Sequence, residues 1–515
     1  MKKSKRFIAS MLTFAMAVSV ALSGCSGDKN SNQTSDNTSS KEPTYGGSVV
    51  VGIQQDIDSL DPHLATAAGT KEILFNVYEG LVKPDENGAL QNAIASDYKI
   101  SEDGLVYTFT LREGVKFHDG TALTAEDVKY SLDRVAGLLD GTPLNSVMKN
   151  ISSVQIVDSK TVEVSMAKAN SEMIYSFNSA IIPKDSASKL GAQPVGTGPF
   201  KFVSYTPQEG IVLAKNDDYW MNGVPYLDEV TFKIVGSTDT AIMELKGGSI
   251  DLYPYLTDSQ AAEVGENYTV KYAPSDVTQA LFMNNAEAPF DNQLVRQAVS
   301  MALNKDEINQ FVSGGKGIVI GSAMLPSLKD YYVDTTGVNA FNQTKAKELL
   351  AQAGYPNGFD MTITVPSNYS FHMETAQVVV EQLKAVGINA KIEGIEWSSW
   401  LSDVYNGRKY QTTICGITCD MTPGYLLNRF ETTSKKNFVN FSDAEYDEIY
   451  TKAANTTDNN VKKENYARLQ QIFAEKSGSA FIQVAPILLA MNNKLDGYKF
   501  YPVYVQDMSC VYYVK

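Results

Sequence analysis

Three observations predict an α/β protein with mixed sheets: short runs in which apolar and polar residues alternate, amphipathic stretches of helical period, and a strand–helix–strand succession after residue 360. Order begins at Tyr45-Gly46-Gly47, and Ser48 to Ile53 is a β-branched run that reads as a buried strand. After the Asp61-Pro62 turn, Lys71 to Tyr78 places Ile73, Leu74, Val77 and Tyr78 on one helical face. Tyr107 to Leu111 and Thr161 to Met166 alternate as half-buried strands, and Thr124 with Asp127 caps a helix running to Val135. From Phe200 to Val235 short strands recur, with turns at Pro207, Gly210 and Asn222-Gly223. Asp291 is expected to cap a helix whose apolar stripe is Leu294, Val295, Ala298, Val299, Ala302 and Leu303. A helix from Lys345 to Ala353 stops at Gly354-Tyr355-Pro356. The strand Met361–Val365, the helix Glu374–Val386 and the strand Ile388–Ile392 then predict a right-handed parallel βαβ unit. No internal repeat is found.

The chain has 515 residues, 43% hydrophobic and 20% charged, enough apolar material for packed cores. Its formal charge is -15, and the four basic side chains of the first 24 residues make the remainder more acidic still. Such a surface repels nucleic acid and anionic lipid, so neither is expected as a ligand.

Lys2, Lys3, Lys5 and Arg6 precede an apolar run from Phe7 to Leu22, too short at about 1.5 Å per residue to span a bilayer of ~30 Å, which reads as an export signal. Leu22-Ser23-Gly24-Cys25 resembles the lipobox of bacterial lipoproteins, which implies that Cys25 is acylated and becomes the new N-terminus, held at the extracytoplasmic face of the cell membrane. Residues 1–24 are then the signal and 25–44 a lipidated flexible tether, because Ser26 to Pro43 is almost wholly polar. Beyond Cys25 only Cys415, Cys419 and Cys510 remain, an odd number that argues for free thiols rather than a disulfide framework.

A set of segments then resembles one family. Tyr78-Glu79-Gly80-Leu81-Val82, Ser101 to Phe109, Leu111 to Gly120, Asp127 to Arg134, Gly196-Thr197-Gly198-Pro199-Phe200, Asn216 to Trp220, Val295 to Ala298 and Leu349 to Phe359 are similar, in order, to the extracellular solute-binding proteins of family 5. These are the oligopeptide- and dipeptide-binding lipoproteins of ABC importers. The resemblance implies a periplasmic-binding-protein type II fold with three lobes. Lobe I would comprise 45–80, 200–283 and 491–515, lobe II 81–199 and lobe III 284–490. Hinge crossings would fall at Phe282, Met283, Asn284 and Asn285 and at Leu489, Ala490 and Met491.

By the same resemblance, Gly416-Ile417-Thr418-Cys419-Asp420 stands where the family has a strand ending in an aspartate that binds a peptide's amino terminus. Here Ile417 replaces the usual Trp and Met421-Thr422-Pro423 the usual aromatic and proline run. Asp420 either meets an ammonium group or caps a turn. Thr66, Ala67 and Ala68 stand where the first lobe offers backbone to an extended ligand; read from the residues alone, they are a surface loop. Trp397, three residues before Trp400 on an expected helix, matches an aromatic at the family's pocket, while Trp400 suits a core.

Gly196-Thr197-Gly198-Pro199 lacks the Lys-Ser or Lys-Thr of a phosphate loop, and His63, His118 and His372 form no close-spaced ligand pair, so neither metal nor cofactor is expected. Gly-x-Ser-x-Gly and His-Glu-x-x-His are absent. The expected function is a monomeric, lipid-anchored, non-enzymatic receptor that takes a small solute, a peptide first, and delivers it to an ABC permease. An oligosaccharide or metal chelate is the alternative cargo, and a cell-surface hydrolase the alternative class.

Overall fold

The computed structural model describes residues 42–515 apart from Ser146, Ser171, Asn368, Asp420, Met421 and Tyr504. The expected signal, the expected acylation site Cys25, most of the expected tether and Asp420 therefore lie outside the described residues. Regular pairing begins slightly earlier than expected: Pro43 and Thr44 pair with Val514 and Tyr513 of the C-terminal strand, so the tether does not extend to 44.

Among the described residues the main sheet has eleven strands. In its first half, β1 (Ser48–Ile53) runs parallel to β2 (Glu229–Ile234), with Val50 opposite Thr231 and Val51 opposite Phe232. Val49, Val51, Phe200, Leu213 and Phe232 are fully buried in a core shared with Leu489 and Met491 from the far end of the chain. Burying side chains of this size contributes about 1.5–3 kcal/mol each, which fixes the face each strand presents. The helix over this core, α1 (Ala68–Leu74), ends sooner than its pattern suggests; Val77 and Tyr78 are buried in the turn after it.

Residues between 81 and 182 build a separate four-stranded antiparallel sheet with its own core. Tyr107, Phe109, Val162 and Val164 alternate inward from its strands, and α2 (Ala125–Ala136) covers them with Val128, Leu132 and Val135. The expected cap is present: the Thr124 N–H donates to Asp127 Oδ2 at 2.8 Å.

Two long strands join the halves of the main sheet. β3 (Tyr268–Met283) pairs antiparallel with β4 (Ser479–Asn492) from Tyr268–Asn492 through Pro274–Pro486 and again from Thr278–Val484 to Phe282–Ser479. Between those stretches four steps along β3 oppose two along β4, so Ser275, Asp276 and Val277 form a bulge. The residues expected at the hinge lie to either side of it, inside cores: Phe282 and Met283 in the two cores of the C-terminal half, Leu489 and Met491 in the first core, and Ala490 in a small cluster beside it. Asn284 is buried and donates through Nδ2 to the Tyr410 carbonyl at 3.0 Å, and Asn285 Nδ2 donates to the Gly478 carbonyl at 2.9 Å.

The C-terminal half contains the parallel pair Asp360–Pro366 and Asn389–Ile395, joined by the helix Ser370–Lys384 as the pattern predicts. One cap differs from expectation. The helix Gln293–Ala302 is capped by Asn292, whose Oδ1 accepts from the Leu294 N–H at 2.9 Å, and not by Asp291. The apolar stripe settles the register, because Val295, Ala298, Val299 and Ala302 must all face the core.

Candidate functional site

A cavity of about 1210 Å³ lies where the three groups of cores meet. It exceeds the ~300–1,000 Å³ of ordinary small-molecule pockets. Its walls come from four stretches: Thr66, Ala68, Lys71 and Tyr78 of the first core; Lys168, Asn170, Glu172 and Tyr175 of the inserted sheet; Asp276, Thr418, Cys419, Gly424, Tyr425 and Lys436 of the C-terminal half; and Val503, Val505, Asp507 and Ser509 of the tail. Both polar groups and aromatic rings line it, as suits a solute with both backbone amides and side chains.

Most of its carboxylates are already occupied. Glu172 Oε1 accepts from the Gly424 N–H at 2.9 Å and from Tyr466 Oη at 2.8 Å, so the inserted sheet grips the C-terminal half across the cavity. Asp507 accepts from Tyr501 Oη at 2.7 Å and Ser509 Oγ at 2.6 Å. Lys436 Nζ stands 3.6 Å from the centre of the Tyr425 ring, a cation–π contact that presents both groups together. Asp276, on the bulge of β3, is different. Burial pushes its carboxyl up to about 7, and only its own backbone N–H works against that. Behind it Glu72 accepts from Tyr255 Oη at 2.5 Å; burial likewise pushes this carboxyl up to about 7, against the Tyr255 and Gln506 hydrogen bonds and with the Asp276 charge adding to the rise.

Glu79 closes one end of the cavity and explains why several of the family-like segments coexist. Its Oε1 accepts from Tyr219 Oη at 2.8 Å and Lys83 Nζ at 3.1 Å, and its Oε2 from Trp220 Nε1 at 2.7 Å and Thr197 Oγ1 at 3.3 Å. Arg112 lies 4.1 Å from the Trp220 ring centre. The Gly196–Pro199 loop packs so closely on the same segment that a Cβ at Gly196 would stand 2.0 Å from the Val77 carbonyl oxygen. This loop is a packing joint.

The sequence-derived candidates divide. Thr66, Ala68, Thr418 and Cys419 line the cavity. The backbone N–H groups of Thr66 and Ala67 are spent on Asp58 Oδ2, at 2.8 and 3.0 Å, and the Ala67 carbonyl accepts from Lys71 N, so this loop has fewer free backbone groups for a ligand than its position suggests. Ile417 is buried in a C-terminal core, and Gly416 packs against Val277 and His372. Trp397 is not among the cavity-lining residues; it stacks on buried Trp400 with ring centres 5.0 Å apart and planes 5° apart, while Trp400 Nε1 donates to Thr413 Oγ1 at 2.9 Å. The two rings meet because residues three apart on a helix share one face, and the backbone is helical from Trp397 into the π-helical turn Trp400–Asn406. The histidines are packing residues: burial lowers His63, His118 and His372 to about 4, and each ring is hydrogen-bonded inside the protein. Cys415 and Cys419 are buried free thiols, and Cys510 is half-buried.

Glu172, Tyr466, Tyr425, Lys436 and Asp276 were not foreseen from sequence. For Asp276 a signal existed: Pro274-Ser275-Asp276 interrupts an otherwise strand-like run, and a proline inside a strand marks an edge or a bulge. Among the described residues no group of three or more His, Cys, Asp or Glu is placed to hold a metal ion, and no helix is long and apolar enough to cross a membrane.

Residues 89–438 match the family model described as bacterial extracellular solute-binding proteins, family 5 Middle. The glutathione-binding protein GsiB of Escherichia coli O1:K1 / APEC is 28% identical over 474 residues, covering 88% of this chain and 92% of that protein. The periplasmic binding protein DppA of Helicobacter pylori, solved with the peptide STSA, superposes with a TM-score of 0.77 at 26% identity, over 92% of this chain and 99% of that one. The oligopeptide-binding protein AppA of Bacillus subtilis, solved with a nonapeptide, gives 0.75 at 26% identity over 92% and 100%.

Proposed function

Because this chain belongs to the bacterial extracellular solute-binding proteins of family 5, receptors of ABC importers, we propose that its own cargo is a short peptide, captured in the central cavity and handed to a permease. The observation that carries this reading is the cavity of about 1210 Å³, walled by all three groups of cores and lined by both hydrogen-bonding and aromatic groups. The peptides bound by the Helicobacter and Bacillus proteins support the same cargo class.

In this reading lobe I (45–80, 200–283, 491–515), lobe II (81–199) and lobe III (284–490) move about β3 and β4. A ligand that touches lobes I and III together only in the closed form shifts the equilibrium toward closure by its differential affinity. The Glu172–Tyr466 contact adds a ligand-independent clasp between lobes II and III. Cys25 carries the lipid that keeps the receptor, a monomer, at the membrane near its permease. The chain performs no chemistry on its cargo.

The test is a thermal-shift and calorimetric screen of the protein, refolded to strip carried ligand, against peptides of two to nine residues, oligosaccharides and metal chelates. A peptide at 100 times its Kd is expected to add about 2.7 kcal/mol of stability. Binding of sugars or chelates alone would overturn the peptide assignment, and turnover of any bound compound would overturn the receptor reading.

A further inference from the structure

The bulge on β3 places one carboxylate where no other described residue answers it. Asp276 lines the cavity and is only 3% exposed. Among the described residues no ion pair and no hydrogen bond from another residue reaches its carboxylate oxygens; its own carbonyl is engaged, accepting from the Cys419 N–H at 3.1 Å, which locks the bulge to the neighbouring strand. The other described carboxylates on the cavity wall, Glu79, Glu172 and Asp507, all have donors. A bulge adds a residue to one strand and re-aims its side chain, and such features gather beside binding sites. A buried carboxylate without a partner is costly in the empty protein, and a cation supplied by the ligand removes that cost. The Glu172 and Asp507 carboxylates already accept hydrogen bonds inside the protein, which lowers what a ligand cation gains there.

We propose that Asp276 receives a cationic group of the captured solute, an organic ammonium or a guanidinium, and so makes the cavity selective for cargo that carries one at the hinge. The inference rests on the cavity being the solute site. In a peptide the cation has two sources, the amino terminus or a lysine or arginine side chain. Either would lie against the strands that bend on closure, so the charge contact forms where the moving halves meet.

The probes are alanine tetrapeptides with free or acetylated amino termini, each also carrying lysine or its uncharged isostere norleucine at successive positions. Binding is measured by calorimetry to the wild-type protein and to Asp276→Asn. The expected result is that Asp276→Asn weakens at least one cationic probe tenfold or more and leaves the acetylated norleucine peptides within twofold. A loss that disappears on acetylation identifies the amino terminus as the group received; one that follows lysine identifies the side chain. If the variant binds every cationic peptide within twofold of wild type, the proposal fails while the peptide-receptor reading stands. If no peptide binds wild type, the peptide reading fails, and n-butylammonium and n-butylguanidinium chlorides decide the site. Their titration, followed by carbon-13 NMR of the aspartate carboxyl groups, either shifts a resonance missing in Asp276→Asn, which upholds the cation site, or does not, which overturns it. A melting transition of Asp276→Asn as cooperative as that of wild type guards against misfolding as the cause.

Discussion

Tyr466 Oη donates to Glu172 Oε1 at 2.8 Å, joining a helix of the C-terminal half to the inserted sheet across the cavity. The same oxygen takes the Gly424 N–H, so a single carboxylate holds two separate segments of the opposite wall. Hydrogen bonds to a charged group contribute about 1.5–3 kcal/mol each, enough to bias an opening equilibrium.

In the proposed hinge mechanism, Tyr466→Phe is therefore expected to loosen the closed form without unfolding the protein. Small-angle scattering of the ligand-free variant should show a larger radius of gyration than wild type, and its ligand should dissociate roughly tenfold faster, the equivalent of about 1.4 kcal/mol. Identical scattering and dissociation rates would remove the clasp from the mechanism.

The charge on Asp276 makes the stability of the empty protein depend on pH in a particular direction. Its carboxyl rises from an ordinary 3.8 to about 7 in the folded protein, so between those values the folded state holds a proton that the unfolded chain has lost. The contribution of Asp276 to stability must then fall as pH rises from about 4 to about 7, by on the order of 4 kcal/mol for a shift of this size, and level off above, while the three buried histidines, lowered to about 4, act in the opposite direction over the same window. Glu72, raised from 4.5 to about 7, acts in the same direction and is coupled to Asp276 by charge. Asp276→Asn should melt higher than wild type by a margin that grows with pH across this window in calorimetric scans. A margin independent of pH would mean that Asp276 is ionised and satisfied already.

Glu79 is buried beneath four donors, and removing it takes away the acceptor shared by Tyr219, Trp220 and Thr197 and leaves Lys83 only its hydrogen bond to Tyr219 Oη. Glu79→Ala should cost about 3–5 kcal/mol in urea unfolding, the range for breaking a buried charged network by deleting one partner. Glu79→Gln, which keeps the shape, should cost less. Tryptophan fluorescence, to which Trp220 contributes with Trp397 and Trp400, provides the readout, and equal losses from the two variants would argue that packing rather than charge holds the joint.

Asn292→Ala should destabilise the protein by about 0.5–2 kcal/mol through loss of the helix cap, whereas Asp291→Ala should change little. Chemical denaturation of both variants distinguishes the two caps, and a larger loss at Asp291 would contradict the assignment.

Local chemistry made much of this protein legible in its sequence. The Thr124/Asp127 capping box, the parallel pair around residue 360 and the inward alternation of Tyr107 and Phe109 all follow from patterns within a few residues of one another. The segments that resemble family 5 were also readable, although their convergence on Glu79 was not, because Glu79 and its partners Tyr219 and Trp220 are 140 and 141 residues apart in the chain. Trp397 shows the limit from the other side: an aromatic in the expected place stacks on Trp400, its neighbour one helical turn on.

By itself, then, the sequence determined the α/β class, the packing face of most elements and the family, since burial and backbone period are written into the spacing of apolar residues and turn formers. Only the tertiary structure decided which acidic residues have partners. Glu172 is hydrogen-bonded by groups from 252 and 294 residues away, while Asp276 is turned by a bulge into a cavity where no donor of another described residue reaches its carboxylate. The state of a carboxylate is set by desolvation and by the donors around it, and those arrive from parts of the chain that no local pattern connects.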